Sequence, residues 1–427
     1  MSIPRPKNII LFFCFLPLLL GCGQKDQKAQ KTQTVHLVFK HGKIAGDPVL
    51  FRNLLDKFET DHPGIKVKDE TLPASTDEQH QFYVINLEGK SSDFDVLSMD
   101  VIWVPEFARA GWLRDLHHLV PEKERTAFFS GPMEAVTFEG KPYAVPWYID
   151  AGVLYYRKDL LQKYGFLPPT TWAELVSTAQ TITAEEKGLY GFIWQGKQYE
   201  GLVCNVLEYM WSNGGEVMRE GKPVLFSPEN IYALNFMKDL IIKYKVTPPL
   251  VTTAIEEPTR HIFGNGQALF MRNWPYAWNI FQREGSPVKD KVGISTLPSF
   301  PTHESASTLG GWQLGVNRFS KNPQVAEKLV LFLTSPESQK TLALNIGYKP
   351  SRQSLYLDEE LIREQPFIAE LTDVLRKARP RPVSPYYLMI SQIIQPEFSA
   401  ALSGIKTAEE ALRSAQQQIE FILKVDR

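Results

Sequence analysis

From Val35 the chain reads "VHLVF", then "PVLFRNLLDKFETDHPG" with apolar residues three and four apart and a Pro-Gly stop, then "IKVKDETL". A short β-rich run, an amphipathic helix and a second β-rich run with short joins make a right-handed crossover unit of a parallel sheet. The theme continues with a helix over "DEQHQFYVINLEGK" and a short strand in "FDVLSMD" that ends at Asp100. The class is therefore α/β. A chain of 427 residues is longer than one hydrophobic core usually serves, so two domains are expected. No repeat of fixed period and no low-complexity linker separates them, which makes the crossings short and structured. "PWYIDAG", lying between two sheet-like segments, has the form of one such crossing.

Beyond it, "VLYYRKDLLQKYG" opens a helix near Lys158, and Thr171 before Trp172 marks another helix start. "PENIYALNFMKDLIIKYKV" and "PTRHIFGNGQALFMRN" read as helical, "KVGISTLPSF" as a strand, and "NPQVAEKLVLFLTSPESQKTLALNIG" as two helices. The chain ends in a long amphipathic helix over "TAEEALRSAQQQIEFILKV", where Thr407 and Glu410 form a capping box.

The N-terminus has the pattern of a secretion signal: Arg5 and Lys7, the apolar run Ile9 to Leu20, then Gly21 and Cys22. A run of about 12 residues is short of the ~20 that a membrane-spanning helix needs. "LLGC" looks like a lipobox, whose cysteine thiol takes a diacylglycerol and becomes the mature N-terminus. The alternative is a plain secretory signal with a chance cysteine. We read residues 1–21 as the lipoprotein signal peptide and the polar "GQKDQKAQKTQ" within 22–33 as a flexible tether to the membrane. Cys14 falls in the discarded segment, leaving Cys204 in an apolar helical pattern with no partner for a disulfide, a buried structural residue. The chain carries no HExxH or CxxC, so neither a metal site nor a cofactor is expected.

A formal net charge of -1 gives no basic face for nucleic acid. The aromatic share of 12% is on the high side, and the rings fall in clusters: "NWPYAW" with Trp274, Tyr276 and Trp278, "GGW" with Gly310, Gly311 and Trp312, and "WYID" with Trp147, Tyr148 and Asp150. A sugar offers an apolar face of C–H groups and an edge of hydroxyls, so its site combines flat rings with carboxylates, amides or guanidinium groups. Each cluster alone is more often core packing. Three of them at element ends, beside Gly, Pro and Asp, favour a site. Asp100, at the carboxyl end of its strand, lies where open α/β sheets place ligands, or else it caps the helix that follows.

These stretches, with "KSSDFDVLSMDVIW", "YIDAGVLYYRKDLL", "GFIWQGKQYEGLVC", "RNWPYAW", "TLGGW" and "RPRPVSPYY" in order, resemble the solute-binding lipoproteins of ABC sugar importers, family 1, and most of all the trehalose/maltose-binding proteins. The resemblance implies a two-lobed fold of the type II periplasmic-binding-protein kind. Its ligand cleft lies between 34–147 plus 303–347 and 148–302 plus 348–427, joined by a multi-segment hinge. It makes Asp47, Asp100 and Asp150 hydroxyl acceptors, sets Tyr148, Trp274, Trp312 and Tyr387 around the sugar, and gives Arg381 a donor role and Gly311 a backbone contact. Asp47 replaces the family's glutamate, and His80 and Gln81 stand where an arginine pair occurs, so Gln81 takes a ligand-contacting position without a charge. The implied ligand is a disaccharide or short oligosaccharide. The implied partners are a membrane permease and a cytosolic ATPase, with the binding protein a lipid-anchored monomer outside the cytoplasm. A binding protein for sn-glycerol 3-phosphate would need a more cationic pocket. A glycosidase using Asp100 and Asp150 lacks any further catalytic motif.

Overall fold

The computed structural model describes residues 34–44, 48–73 and 75–425. Two sheets organise them. The first has five strands in the order Ile65–Thr71, Val35–His41, Val96–Asp100, Leu309–Val316, Val145–Ala151. Its first three strands are parallel, with Val35 level with Ile65 and Phe39 level with Val96, so both crossovers expected from the sequence are present. Helices Pro48–Asp61 and Thr76–Glu88 make those crossovers. Each turns one stripe inward: Phe51, Leu54, Leu55 and Phe58 from the first, Gln79, Tyr83 and Leu87 from the second. The other two strands run antiparallel to their neighbours: Val145–Ala151 leads the chain out to the second sheet and Leu309–Val316 brings it back.

The second sheet has four strands in the order Val292–Ser295, Val153–Arg157, Ala268–Asn273, Tyr190–Ile193. Between Ala151 and Val153 the chain passes directly from the first sheet to the second. Gly152 is required at that step, because a β-carbon there would lie 2.0 Å from the buried Glu208 carboxylate. Each sheet has its own apolar core. One gathers Phe39, Phe51, Phe58, Trp103, Trp147, Leu314 and Val330; the other gathers Trp172, Trp194, Leu207, Met210, Phe270, Ile394 and Leu412. Ile102 packs against both.

Local signals hold where they are self-contained. Thr171 and Glu174 cap Trp172–Glu185 reciprocally, and Thr407 and Glu410 do the same for Ala408–Val425. One reading fails. "PTRHIFGNGQALFMRN" is helical only to Gly264; Gly266 then takes a positive φ of 77°, and Ala268–Asn273 is a strand of the second sheet. All six of its residues are buried. A strand covered on both faces reads as a continuous apolar run, which lacks the alternation that distinguishes strand from helix.

Candidate functional site

The site is assembled by strand register. Trp312 lies level with Asp100 on one side and with Tyr148 on the other, and Gly310 lies level with Asp150, so three strands place these residues in adjacent rows. The pairing shifts by one residue after Trp312. Gly311 has φ 120°, and a β-carbon on it would meet the Tyr148 carbonyl oxygen at 2.4 Å, so this close approach excludes every other residue. Trp312 meets Trp103 edge-on at 5.7 Å, and Tyr148 stacks on Tyr348 at 4.0 Å.

Trp274 arrives from the second lobe on the turn after Ala268–Asn273. Its ring covers Gly310, close enough that a β-carbon there would stand 3.1 Å away. The Arg272 guanidinium lies over that ring at 4.0 Å and is held bidentately by Glu208 at 2.9 and 2.5 Å. Tyr155 donates to the Trp274 carbonyl at 2.9 Å, and the indole N–H points to Glu256 at 3.4 Å. The ring itself stays half-buried. The rest of "NWPYAW" anchors the loop: Tyr276 donates to Glu257 at 2.8 Å, and Trp278 packs on Phe367 at 4.5 Å.

Asp150 is half-buried, and among the described residues its carboxylate accepts no hydrogen bond. Desolvation drives its pKa up to about 7, although Lys349 and Arg272 both favour the charged form. Lys349 is fully buried and pushed down to about 7 by the same cause; its ammonium donates to Gln365 at 2.9 Å and lies over Phe367 at 4.8 Å. A carboxylate with open acceptor positions, beside rings, suits a ligand that donates hydroxyl hydrogen bonds.

Arg381 links the lobes. One terminal nitrogen donates to Glu200 at 2.8 Å, and the other to Asp100 at 3.1 Å and to the Leu309 carbonyl at 3.4 Å. Asp100 also accepts from the Ile102 amide at 3.2 Å, so the capping role and the cleft position coexist. Tyr387 is buried, and its hydroxyl donates to Glu200 at 2.6 Å. Gln81 is exposed, two positions from both Gln79 and Tyr83 and so turned away from that helix's buried stripe. Its neighbour His80 instead turns inward to Glu106, at 2.8 Å, and to Trp103 and Phe107. Asp47 and Cys22 lie outside the described residues.

Sequence reading missed Glu200, Glu208, Arg272, Glu256 and Lys349. The first two had a signal: two glutamates, with Cys204 between them, at four-residue spacing in the otherwise apolar "EGLVCNVLEYMW" put all three on one helix face. A separate groove of about 530 Å³ runs along Tyr190, Ile242, Val246 and Pro248 at the edge of the second sheet. Its lining holds no carboxylate, and the rows of rings and acids described above are elsewhere.

A sequence profile of the bacterial extracellular solute-binding proteins matches residues 45–340. The chain belongs to that family. A probable ABC transporter-binding protein of Deinococcus radiodurans is 40% identical over 364 residues, 84% of this chain and 86% of that protein. Among solved structures, maltose-bound MalE3 of T. maritima superposes with a TM-score of 0.87 at 45% identity, covering 91% of this chain and 100% of that one. An ABC transporter solute-binding protein of Thermotoga lettingae bound with α-D-tagatose superposes with a TM-score of 0.82 at 26% identity, covering 92% and 100%. The fold is the two-lobed α/β architecture of these periplasmic binding proteins, as expected from the sequence.

Proposed function

We propose that this protein is the extracytoplasmic sugar-binding component of an ABC importer, taking a neutral disaccharide or short oligosaccharide of the trehalose/maltose type. The observation that carries the reading is the Asp150 carboxylate, open to hydroxyl donors beside the half-buried ring of Trp274. Asp100, Tyr148 and Trp312 extend that row, with Gly311 shaping its strand. Arg381 and Tyr387 border it from the second lobe, and Asp47 and Gln81 complete the proposed contacts. The relatives that bind maltose and tagatose support a polyhydroxylated ligand.

Arg272 and Arg381 are each already paired with a carboxylate, and the buried Lys349 is pushed down to about 7 and donates to Gln365, which argues for a neutral solute over a phosphorylated one. Binding is followed by closure of the lobes, divided as 34–147 plus 303–347 and 148–302 plus 348–427, and by delivery to a permease driven by a cytosolic ATPase. A lipid on Cys22 keeps the monomer at the membrane through the tether 22–33, and the sugar leaves unchanged, with no cofactor involved.

Titration of residues 34–427 with maltose, trehalose, sucrose, maltodextrins, tagatose and mannitol, followed by calorimetry, tests this. One saturable site for a di- or oligosaccharide at micromolar affinity or better, about -8 kcal/mol or stronger, is expected. Saturation by tagatose or mannitol alone would move the ligand to a monosaccharide or polyol. Conversion of the sugar during the titration would overturn the carrier role.

A further inference from the structure

We infer that Glu200 is a positioning residue of the cleft: it fixes the second lobe's ligand-facing groups, Arg381 and Tyr387, on a single carboxylate oxygen. The inference rests on the sugar-binding reading above and names a residue that this reading leaves out. Glu200 is 5% exposed and opens the twelve-residue helix Glu200–Trp211, where the positive end of the helix favours an anion. Its Oε1 accepts from Arg381 at 2.8 Å and from Tyr387 at 2.6 Å, and its Oε2 accepts from Ser391. Among the described residues Glu200 is the one hydrogen-bond anchor of the Arg381 guanidinium on the second lobe: its Nε is buried without a partner, and its weaker contact to the Leu309 carbonyl reaches a strand of the first sheet.

The consequence is directional. With Glu200 present, the guanidinium is shared between an anion of its own lobe and Asp100 of the other. Without it, Asp100 is the one remaining anion in contact among the described residues, and the guanidinium follows Asp100 and occupies the oxygen that a sugar hydroxyl would use. The Tyr387 hydroxyl loses its acceptor in the same step. Glutamine keeps an oxygen for both donors but not the charge, whereas alanine keeps neither, so the two variants separate the contributions.

The test compares Glu200→Ala and Glu200→Gln with Glu397→Gln, using maltose as the probe. Glu397 is a buried carboxylate that joins the helices Tyr387–Leu402 and Ala408–Val425 by accepting from Lys406 and Ser414, and it touches neither Arg381 nor Tyr387, so it reports loss of stability alone. Glu200→Ala is expected to weaken maltose binding about 30-fold or more with one site per chain retained, and Glu200→Gln about 5- to 10-fold. Glu397→Gln should lower the melting temperature and leave the dissociation constant within about twofold.

Crystal structures of the Glu200 variants should show Arg381 and Tyr387 displaced. Their retention in place with wild-type affinity would overturn the inference, as would an equal loss of affinity in Glu397→Gln. Should Glu200→Ala fail to fold, Glu200→Gln decides on the same two readouts. Failure of the wild type to bind any sugar of the panel would sink the functional reading instead, while the position of Arg381 in the variant crystals still decides the role of Glu200.

Discussion

The proposed sugar contact at Asp150 predicts a pH signature that an ordinary carboxylate would not produce. Desolvation holds this group up to about 7, against Lys349 and Arg272, which pull it down, and Asp100, which adds to the rise. In the proposed contact a sugar hydroxyl donates to the ionised form, so binding would be linked to loss of the proton and the observed dissociation constant would scale as 1 + 10^(pKa − pH). Between about pH 8.5 and pH 5.5 that factor changes about 30-fold, roughly 2 kcal/mol, whereas a carboxyl at its usual value would leave affinity flat.

Stability of the empty protein runs the other way. A carboxyl raised in the folded state favours protonation there, so its contribution is present at low pH and is lost as pH rises through about 7. Lys349, lowered to about 7 by burial, acts in the opposite sense, adding stability as pH rises from about 7 toward the ordinary lysine range. The assay is calorimetric titration with maltose at half-unit pH steps, repeated on Asp150→Asn. Weakening toward acid pH in the wild type and a flat, uniformly weaker profile in the variant are expected. An equal slope in Asp150→Asn, or a flat wild type, would refute the assignment of the open carboxylate to the ligand.

Three further outcomes follow from contacts described above. Trp274→Ala should cost about 2–4 kcal/mol of binding through lost ring area, with the melting temperature little changed, and Trp274→Phe should recover part of it; a titration of each variant decides. Gly311→Ala forces a β-carbon against the Tyr148 carbonyl at positive φ and should destabilise by about 3 kcal/mol or more, read from urea unfolding. Arg272→Met leaves Glu208 buried without its partner and should cost about 3–5 kcal/mol of stability, whereas adding Glu208→Leu should restore much of it without restoring affinity.

How far the sequence spoke depends on the range of each signal. Thr171 with Glu174, and Thr407 with Glu410, were legible because a capping box closes within four residues. The crossover units were legible because helix and strand periods differ. Ala268–Asn273 was not, since burial on both faces erases the alternation, although Asn265 and Gly266 marked the break before it. The rings were found by composition, but their neighbours were not. Arg381 meets Glu200 across 181 residues, and Arg272 meets Glu208 across 64, distances at which no local pattern names the partner. The same limit explains why the bridge that Arg381 makes between two carboxylates was not foreseen.

Those two pairs share one helix face, and that placement has a functional sense. Glu200, Cys204 and Glu208 stand one turn apart along Glu200–Trp211. Glu200 holds Arg381 and Tyr387 at one end, Glu208 holds Arg272 beneath Trp274 at the other, and the buried Cys204 thiol between them is raised by desolvation, so the interval stays uncharged. Buried ion pairs seldom stabilise a fold relative to apolar residues of the same volume, because desolvating two charges offsets most of their attraction. Four charged side chains in the wall of one lobe are thus poorly explained by stability. They are well explained by rigidity: each guanidinium is pinned by a carboxylate from a single helix, so the ring of Trp274 and the donors of Arg381 would keep a fixed spacing through the proposed closure. A ligand then meets a preorganised second lobe, and the entropy of ordering these groups is met during folding and not during binding.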